Sequence, residues 1–247
     1  MKSDIFANAE TQSTDAFALQ NSKLLKVRLG LDGHPGEVIA KQGSMVAYQG
    51  QATFDFQGSG GIGKAIKQKL AGEGLAAMRV TGQAEVFFAD LAADVHLLQL
   101  EGDAVSVNGR SLLAYQAGLD VDVHFVGGAG IAAGGLFNTI ISGHGWVAIT
   151  TRGTPVVLST DAPTFADSNA VVCWSANLQT QIASTFKIGS LIGRGSGEAM
   201  QIGFHGQGWV VVQPAELDLA TMNQSGQAAQ PSGGGGIAGL AGGLLGR

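Results

Sequence analysis

Along most of the chain apolar and polar residues alternate. In "LDVDVHF" the residues Leu119, Val121, Val123 and Phe125 share one face, while Asp120, Asp122 and His124 share the other, because successive side chains of a strand point to opposite sides. Similar β-rich runs recur between glycine-containing breaks, and together they predict an all-β protein of many short strands.

The pattern also repeats on a larger scale. Three segments align without gaps: "GSMVAYQGQATFDF" from Gly43, "RSLLAYQAGLDVDV" from Arg110 and "NAVVCWSANLQTQI" from Asn169. Each is a turn, an apolar run ending in an aromatic (Tyr48, Tyr115, Trp174), a polar break and an alternating strand. A second shared block, "AAMRVTGQAEVFF", "WVAITTRGTPVVL" and "MQIGFHGQGWVVV", places Gly82, Gly153 and Gly206 between two β-rich runs. Glycine there predicts a hairpin turn in each copy, since tight hairpins need positive φ. Internal repeats of this size point to small β-units packed into one body. The expected division is a flexible segment over 1–16, a three-repeat body over 17–220 (17–90, 91–160, 161–220) and a glycine-rich flexible tail over 221–247.

Between anchor and second block each copy carries a glycine-rich stretch. In the first, Lys64 to Leu70 predicts a short helix of good helix formers between glycines. The same stretch holds "GSGGIGKA", where Gly58, Gly60 and Gly63 have dinucleotide-fold spacing, and Gly58, Gly63 and Lys64 have phosphate-loop spacing. Both motifs require a strand leading into a crossover helix, and the phosphate loop requires a Ser or Thr where Ala65 stands. The stretch is therefore expected to be a connector.

Composition narrows the function classes. Glycine is abundant, 39 of 247 residues, so many backbone positions sit in turns or close approaches. The formal net charge is −5 with only 13% charged residues, which disfavours a nucleic-acid footprint. Lys64, Lys67 and Lys69 lack interleaved aromatics and are expected on a solvated face. Cys173 is the single cysteine, so neither an internal disulfide nor a cysteine-rich metal site is available. The segment "MKSDIFANAETQSTDAF" has no apolar signal core, and no window of the sequence is apolar enough for a helical membrane span. A cytoplasmic location is expected. The tail segment "IAGLAGGLLG" is apolar but short, and is expected to be disordered or to dock on a partner.

Candidate chemistry is sparse. Asp120, Asp122 and His124 stand at alternate positions and either approach a common metal ion or form the wet side of a sheet. Their counterparts Thr53, Asp55 and Gln57, and Gln179, Gln181 and Ala183, do not chelate, which favours the wet side. His34, His96, His124, His144 and His205 share no repeat position, and no nucleophile elbow occurs. Cys173 replaces Ala47 and Ala114 on an apolar run and is expected to be a buried small side chain. Glu73 and Glu101 lie beside glycines in different repeats and form no evident acid–base pair. No cofactor is implied.

The series "NSKLLKVRL", "GSMVAYQG", "GGIGKAIKQKLAGEGL", "SLLAYQAGLDVDVHF" and "GLFNTIISGHGWVAI" resembles the bacterial relatives of the mitochondrial biogenesis protein named for altered inheritance of mitochondria. The resemblance spans roughly residues 17 to 213 and departs most in "IGSLIGRGSGEAMQIGFHGQG". It implies a fold similar to the trp RNA-binding attenuation protein: short double-stranded β-helix or sandwich units, three of them about a pseudo-threefold axis. It brings no catalytic residue. A scaffolding role follows by analogy with the mitochondrial relative's association with inner-membrane organisation.

The sequence thus points to a non-enzymatic structural or interaction protein that associates with itself. A protein partner or membrane surface is expected to meet a patch of connector residues, Ile62, Ile131, Leu136, Phe137, Leu191 and Ile192. The alternative is a small-molecule or metal-binding module with a pocket between repeats.

Overall fold

The computed structural model describes residues 1–56, 77–125, 137–183 and 201–215, apart from the side chains of Phe125, Phe137 and Ala183. Within them the fold is all-β and antiparallel, with one short 3-10 turn at Asp4–Ala7. The connector residues Gly58 to Lys64, the expected helix at 64–70, Gln57, Ile62, Lys67, Lys69, Glu73, Ile131, Leu136, Leu191, Ile192 and the tail lie outside the described residues.

The first group of strands is β1 (Phe17–Asn21), β2 (Leu24–Leu29), β3 (Glu37–Lys41), β4 (Met45–Phe56) and β5 (Ala77–Phe88). β5 is central. One of its edges pairs with β4, from Met45 opposite Phe88 to Phe56 opposite Met78. Its other edge pairs first with β3, Lys41 opposite Ala77, and then with β2, Leu29 opposite Ala84.

The second group is β6 (Asp94–Asn108), β7 (Leu112–Gln116), β8 (Asp120–Phe125) and β9 (Phe137–Thr151). Here β9 is central, with β6 along one edge and β8 then β7 along the other. The third is β10 (Val156–Ser159), β11 (Thr164–Asp167), β12 (Val171–Ser175), β13 (Gln179–Ala183), β14 (Gln201–His205) and β15 (Trp209–Val212). β14 lies between β11 and β13, and β15 between β10 and β12.

The register recurs residue by residue. Tyr48 faces Val86, Tyr115 faces Val147 and Trp174 faces Val210. Each of these strands has a shift at the same point, between Met45 and Ala47, Leu112 and Ala114, and Val171 and Cys173, which is the signature of a bulge leaving one residue extra. One backbone hydrogen bond also recurs: Ala89 N to Ser44 O at 2.9 Å, Thr150 N to Ser111 O at 2.7 Å and Gln213 N to Ala170 O at 2.9 Å.

The three expected hairpin glycines are corrected by this register. Gly82 lies inside the uninterrupted β5 at φ 142°, where the facing edge passes from β3 to β2. A Cβ on it would stand 2.1 Å from the Gln51 carbonyl oxygen, so glycine permits close strand approach there and makes no turn. Its counterpart in β9 is Gly143 (φ 119°), where the facing edge passes from β8 to β7. Gly153 instead follows β9 in the turn to β10, and Gly206 stands at the break between β14 and β15.

Two joins link the groups. β3 pairs with β7, setting Val38 opposite Gln116, Ile39 opposite Tyr115 and Ala40 opposite Ala114. β6 pairs with β12 in the matching way, setting Val105 opposite Ser175, Ser106 opposite Trp174 and Val107 opposite Cys173. At each join the apolar run enters the core of the preceding group. Leu113 and Ala114 belong to the core around Leu25, Val80 and Phe88. Val172 and Cys173 belong to the core around Val107, Ile141 and Val147. A third core gathers Val171, Trp174, Leu178, Ile202, Phe204 and Val210.

Candidate functional site

Of the sequence candidates for chemistry, Asp120, Asp122 and His124 come closest together. They lie on β8 opposite Ser142, Ile140 and Asn138. Their alternation holds: Leu119 and Val123 are buried, whereas Asp120 and His124 are exposed. His124 Nε2 lies 2.8 Å from Asp122 Oδ2. Among the described residues no three His, Cys, Asp or Glu side chains converge on a metal-sized site.

The other histidines stay apart. His34 Nε2 lies 2.6 Å from the Thr14 carbonyl oxygen and His96 Nε2 lies 2.9 Å from Thr151 Oγ1. His144 sits opposite Glu101 in the β6–β9 ladder and His205 opposite Gln179. Cys173 is fully buried, and burial pushes its thiol pKa up to about 12, since a thiolate there would lose its hydration. It is a protonated, packed side chain. A small apolar crevice lies at the β3–β7 join, lined by Ile39, Ala40, Leu112, Leu113 and Tyr115 among others. Its volume of about 10 Å³ leaves room for a water at most.

An ionic cluster not foreseen from the sequence ties residues 10–16 to the first sheet. The Lys26 side chain is buried, and its Nζ lies 2.8 Å from Glu10 Oε1, 3.1 Å from the Thr11 carbonyl oxygen and 3.4 Å from Glu85 Oε1. The hydrogen bond from Lys26 holds the Glu10 carboxyl below the usual carboxylate range. Arg28 adds bonds to the Ser13 carbonyl oxygen (2.8 Å) and to Asp32 Oδ2 (2.6 Å). Lys26 and Arg28 alternate with Leu25 and Val27 in β2, as the polar side of an ordinary half-buried strand would, so neither spacing nor motif marked Lys26. Its role is to neutralise and anchor.

The surface feature that stands out is a set of bare sheet edges that carry exposed apolar side chains. Leu112 to Tyr115 and Val171 to Trp174 are buried throughout. The matching run of β4 is open, with Val46 61% and Tyr48 46% exposed. No described strand pairs with the outer edge of β4, nor with those of β10 and β11. β10 shows Val156 and Val157 to solvent, and β11 shows Phe165, 53% exposed. Folded proteins usually guard such edges with charge, proline or a covering element. The exposed half of β4, "MVAYQGQAT", carries no charge.

The comparisons with known proteins fit this architecture. The family model described as mitochondrial biogenesis AIM24 matches residues 17–215. The chain belongs to the AIM24 family. No curated protein matches it. Among solved structures, the crystal structure of protein SPYM3_0169 from Streptococcus pyogenes superposes with a TM-score of 0.66 at 22% identity, over 85% of this chain and 95% of that one. At that identity the likeness carries the fold. The AIM24 match spans all fifteen described strands, from Phe17 to Val212, so the bare edges belong to the family domain. Among the described residues no helix is long and apolar enough to cross a membrane.

Proposed function

We propose that this protein is a non-enzymatic structural component that assembles with copies of itself, built from three like β-units in series. The recurring register supports the three units: the same strand order, bulge and closing hydrogen bond occur in each group. In the pseudo-threefold arrangement expected from the resemblance, a third join would use β4 and β11. Both have an outer edge without a described partner strand.

One observation carries the assembly reading. An apolar run buried in two of the units stands open in the other, on a strand edge without protecting charge. Such edges recruit further strands. The structural reading is supported by where the reactive groups sit: the thiol is held protonated in a core, Lys26 anchors the N-terminal segment, and the His124–Asp122 pair is surface-exposed.

Native mass spectrometry of the full-length, untagged protein tests this across a concentration series. Whole-number multiples of the single-chain mass are expected. A single-chain mass at every concentration would sink the assembly reading, and a stoichiometric small-molecule adduct would point to the binding-module alternative.

A further inference from the structure

The two internal joins share one rule. A strand of one unit (β3, or the second half of β6) pairs with the first strand of the next unit's anchor (β7 or β12), in the same register. Through their central-strand partners, Val38, Val105 and Thr164 are equivalent, facing Val80, Ile141 and Phe204. So are Ile39, Ser106 and Phe165, facing Arg79, Ile140 and Gly203. On the anchor side Gln49 matches Gln116 and Ser175, Tyr48 matches Tyr115 and Trp174, and Ala47 matches Ala114 and Cys173.

We propose that β11 of one copy pairs antiparallel with β4 of a second copy, with Thr164 opposite Gln49, Phe165 opposite Tyr48 and Ala166 opposite Ala47. The chains then join head to tail through a third instance of the internal join. This rests on the self-assembly reading above and names its surfaces.

The burial pattern agrees with that occupant. At each internal join the bulge residue, Leu113 or Val172, is fully buried in the preceding unit's core. Val46 holds the same bulge position and is 61% exposed. No unit precedes it within the described chain, and in the third unit the core equivalent to the one that receives Leu113 or Val172 is the cluster around Ile202 and Phe204. The residues that the join would cover are exposed on both surfaces, Val46 and Tyr48 on one side and Phe165 on the other. Because the two surfaces differ, the interface is heterologous, and it makes a ring if the rotation closes or a filament if it does not.

Introducing a charge at each surface tests this, because lysine buried in an apolar join is costly while lysine on an exposed edge is not. The variants are Tyr48→Lys, which spoils only the β4 surface, and Phe165→Lys, which spoils only the β11 surface. Each is examined alone and in an equimolar mixture by native mass spectrometry, with circular dichroism reporting that the β fold persists. Each variant alone is expected as a monomer. The mixture is expected to give a 1:1 heterodimer, since the intact β4 of one meets the intact β11 of the other and both outer edges are blocked. If the wild type assembles but the variants still do so alone, or their mixture stays monomeric, these edges are not the interface although self-assembly stands. If the wild type itself is a monomer at every concentration, both readings fall.

Discussion

Tyr115 lies opposite Ile39 across the β3–β7 join and is 7% exposed, whereas Tyr48, which holds the same place opposite Val86 in its own unit, is 46% exposed. The two residues sit in near-identical sequence, "LLAYQ" and "MVAYQ". What separates them is the presence or absence of a neighbouring strand.

Stability should therefore distinguish the matched aromatics. Trp174→Ala removes a fully buried ring in edge-to-face contact with Phe204, centroids 5.6 Å apart, and should cost about 3 to 5 kcal/mol. Tyr48→Ala at concentrations where the protein is monomeric should change stability by less than about 1 kcal/mol. Denaturant midpoints with unchanged slopes measure both, and equal losses would show that Tyr48 is packed in solution.

Gly82 carries a sharper backbone constraint. An alanine there would meet the Gln51 carbonyl at 2.1 Å in an unfavourable φ region, whereas at Gly33 (φ 83°) nothing lies within 4 Å. Gly82→Ala should cost about 3 kcal/mol or more, and Gly33→Ala about 1 kcal/mol. Thermal unfolding of the two variants compares them directly.

The buried Lys26 should be costly to remove alone. Lys26→Ala takes the shared cation from Glu10 and Glu85, while Glu85 keeps Arg28 Nε at 3.2 Å, and should destabilise by about 1 to 2 kcal/mol. Because Lys26 depresses the Glu10 pKa, its contribution is present above the ordinary carboxylate pKa near 4.5 and is lost as pH falls through the lower folded value. The acid-induced fall in stability below pH 4.5 should be shallower in the variant. Unfolding midpoints between pH 3 and 6 would reveal it.

Alkaline pH acts in the opposite sense. Burial pushes both the Cys173 thiol and the Tyr115 phenol up to about 12, with Glu37 adding to the latter. Both are raised above their ordinary values near 9 and 10, so their stability is complete below pH 9 and is lost as pH rises toward 12. Cys173→Ala, which installs the residue found at Ala47 and Ala114, should remove the thiol's share of that loss. In the native wild type at pH 8, a thiol reagent should react with Cys173 only as the protein unfolds.

Much of this was legible in the sequence. The all-β class was readable from period-two alternation, and the aligned Tyr48, Tyr115 and Trp174 each follow a register shift and stand opposite Val86, Val147 and Val210. Gly153 was misleading: "WVAITTRGTPVVL" has the outline of a strand, glycine and strand, yet its glycine falls in the following turn. The better signal was the shared "GHGWV" and "GQGWV", which fixes Gly143 and Gly206 together. The exposure of Val46 and Tyr48 left no trace, since the local sequence encodes a strand to be buried and only the neighbouring unit decides whether it is. Lys26 was likewise hidden, because its partners Glu10 and Glu85 come from distant segments.

The most direct measurement is a disulfide at the proposed register. Directly opposed residues of an antiparallel pair have Cα atoms about 4.5 to 5.5 Å apart, within disulfide reach. A chain carrying both Tyr48→Cys and Phe165→Cys, oxidised gently and run on a non-reducing gel, should give a ladder of covalently linked copies, while an Asp55→Cys, Phe165→Cys control should not. A single-chain product closed by an internal disulfide, or no cross-link at any concentration, would contradict the account.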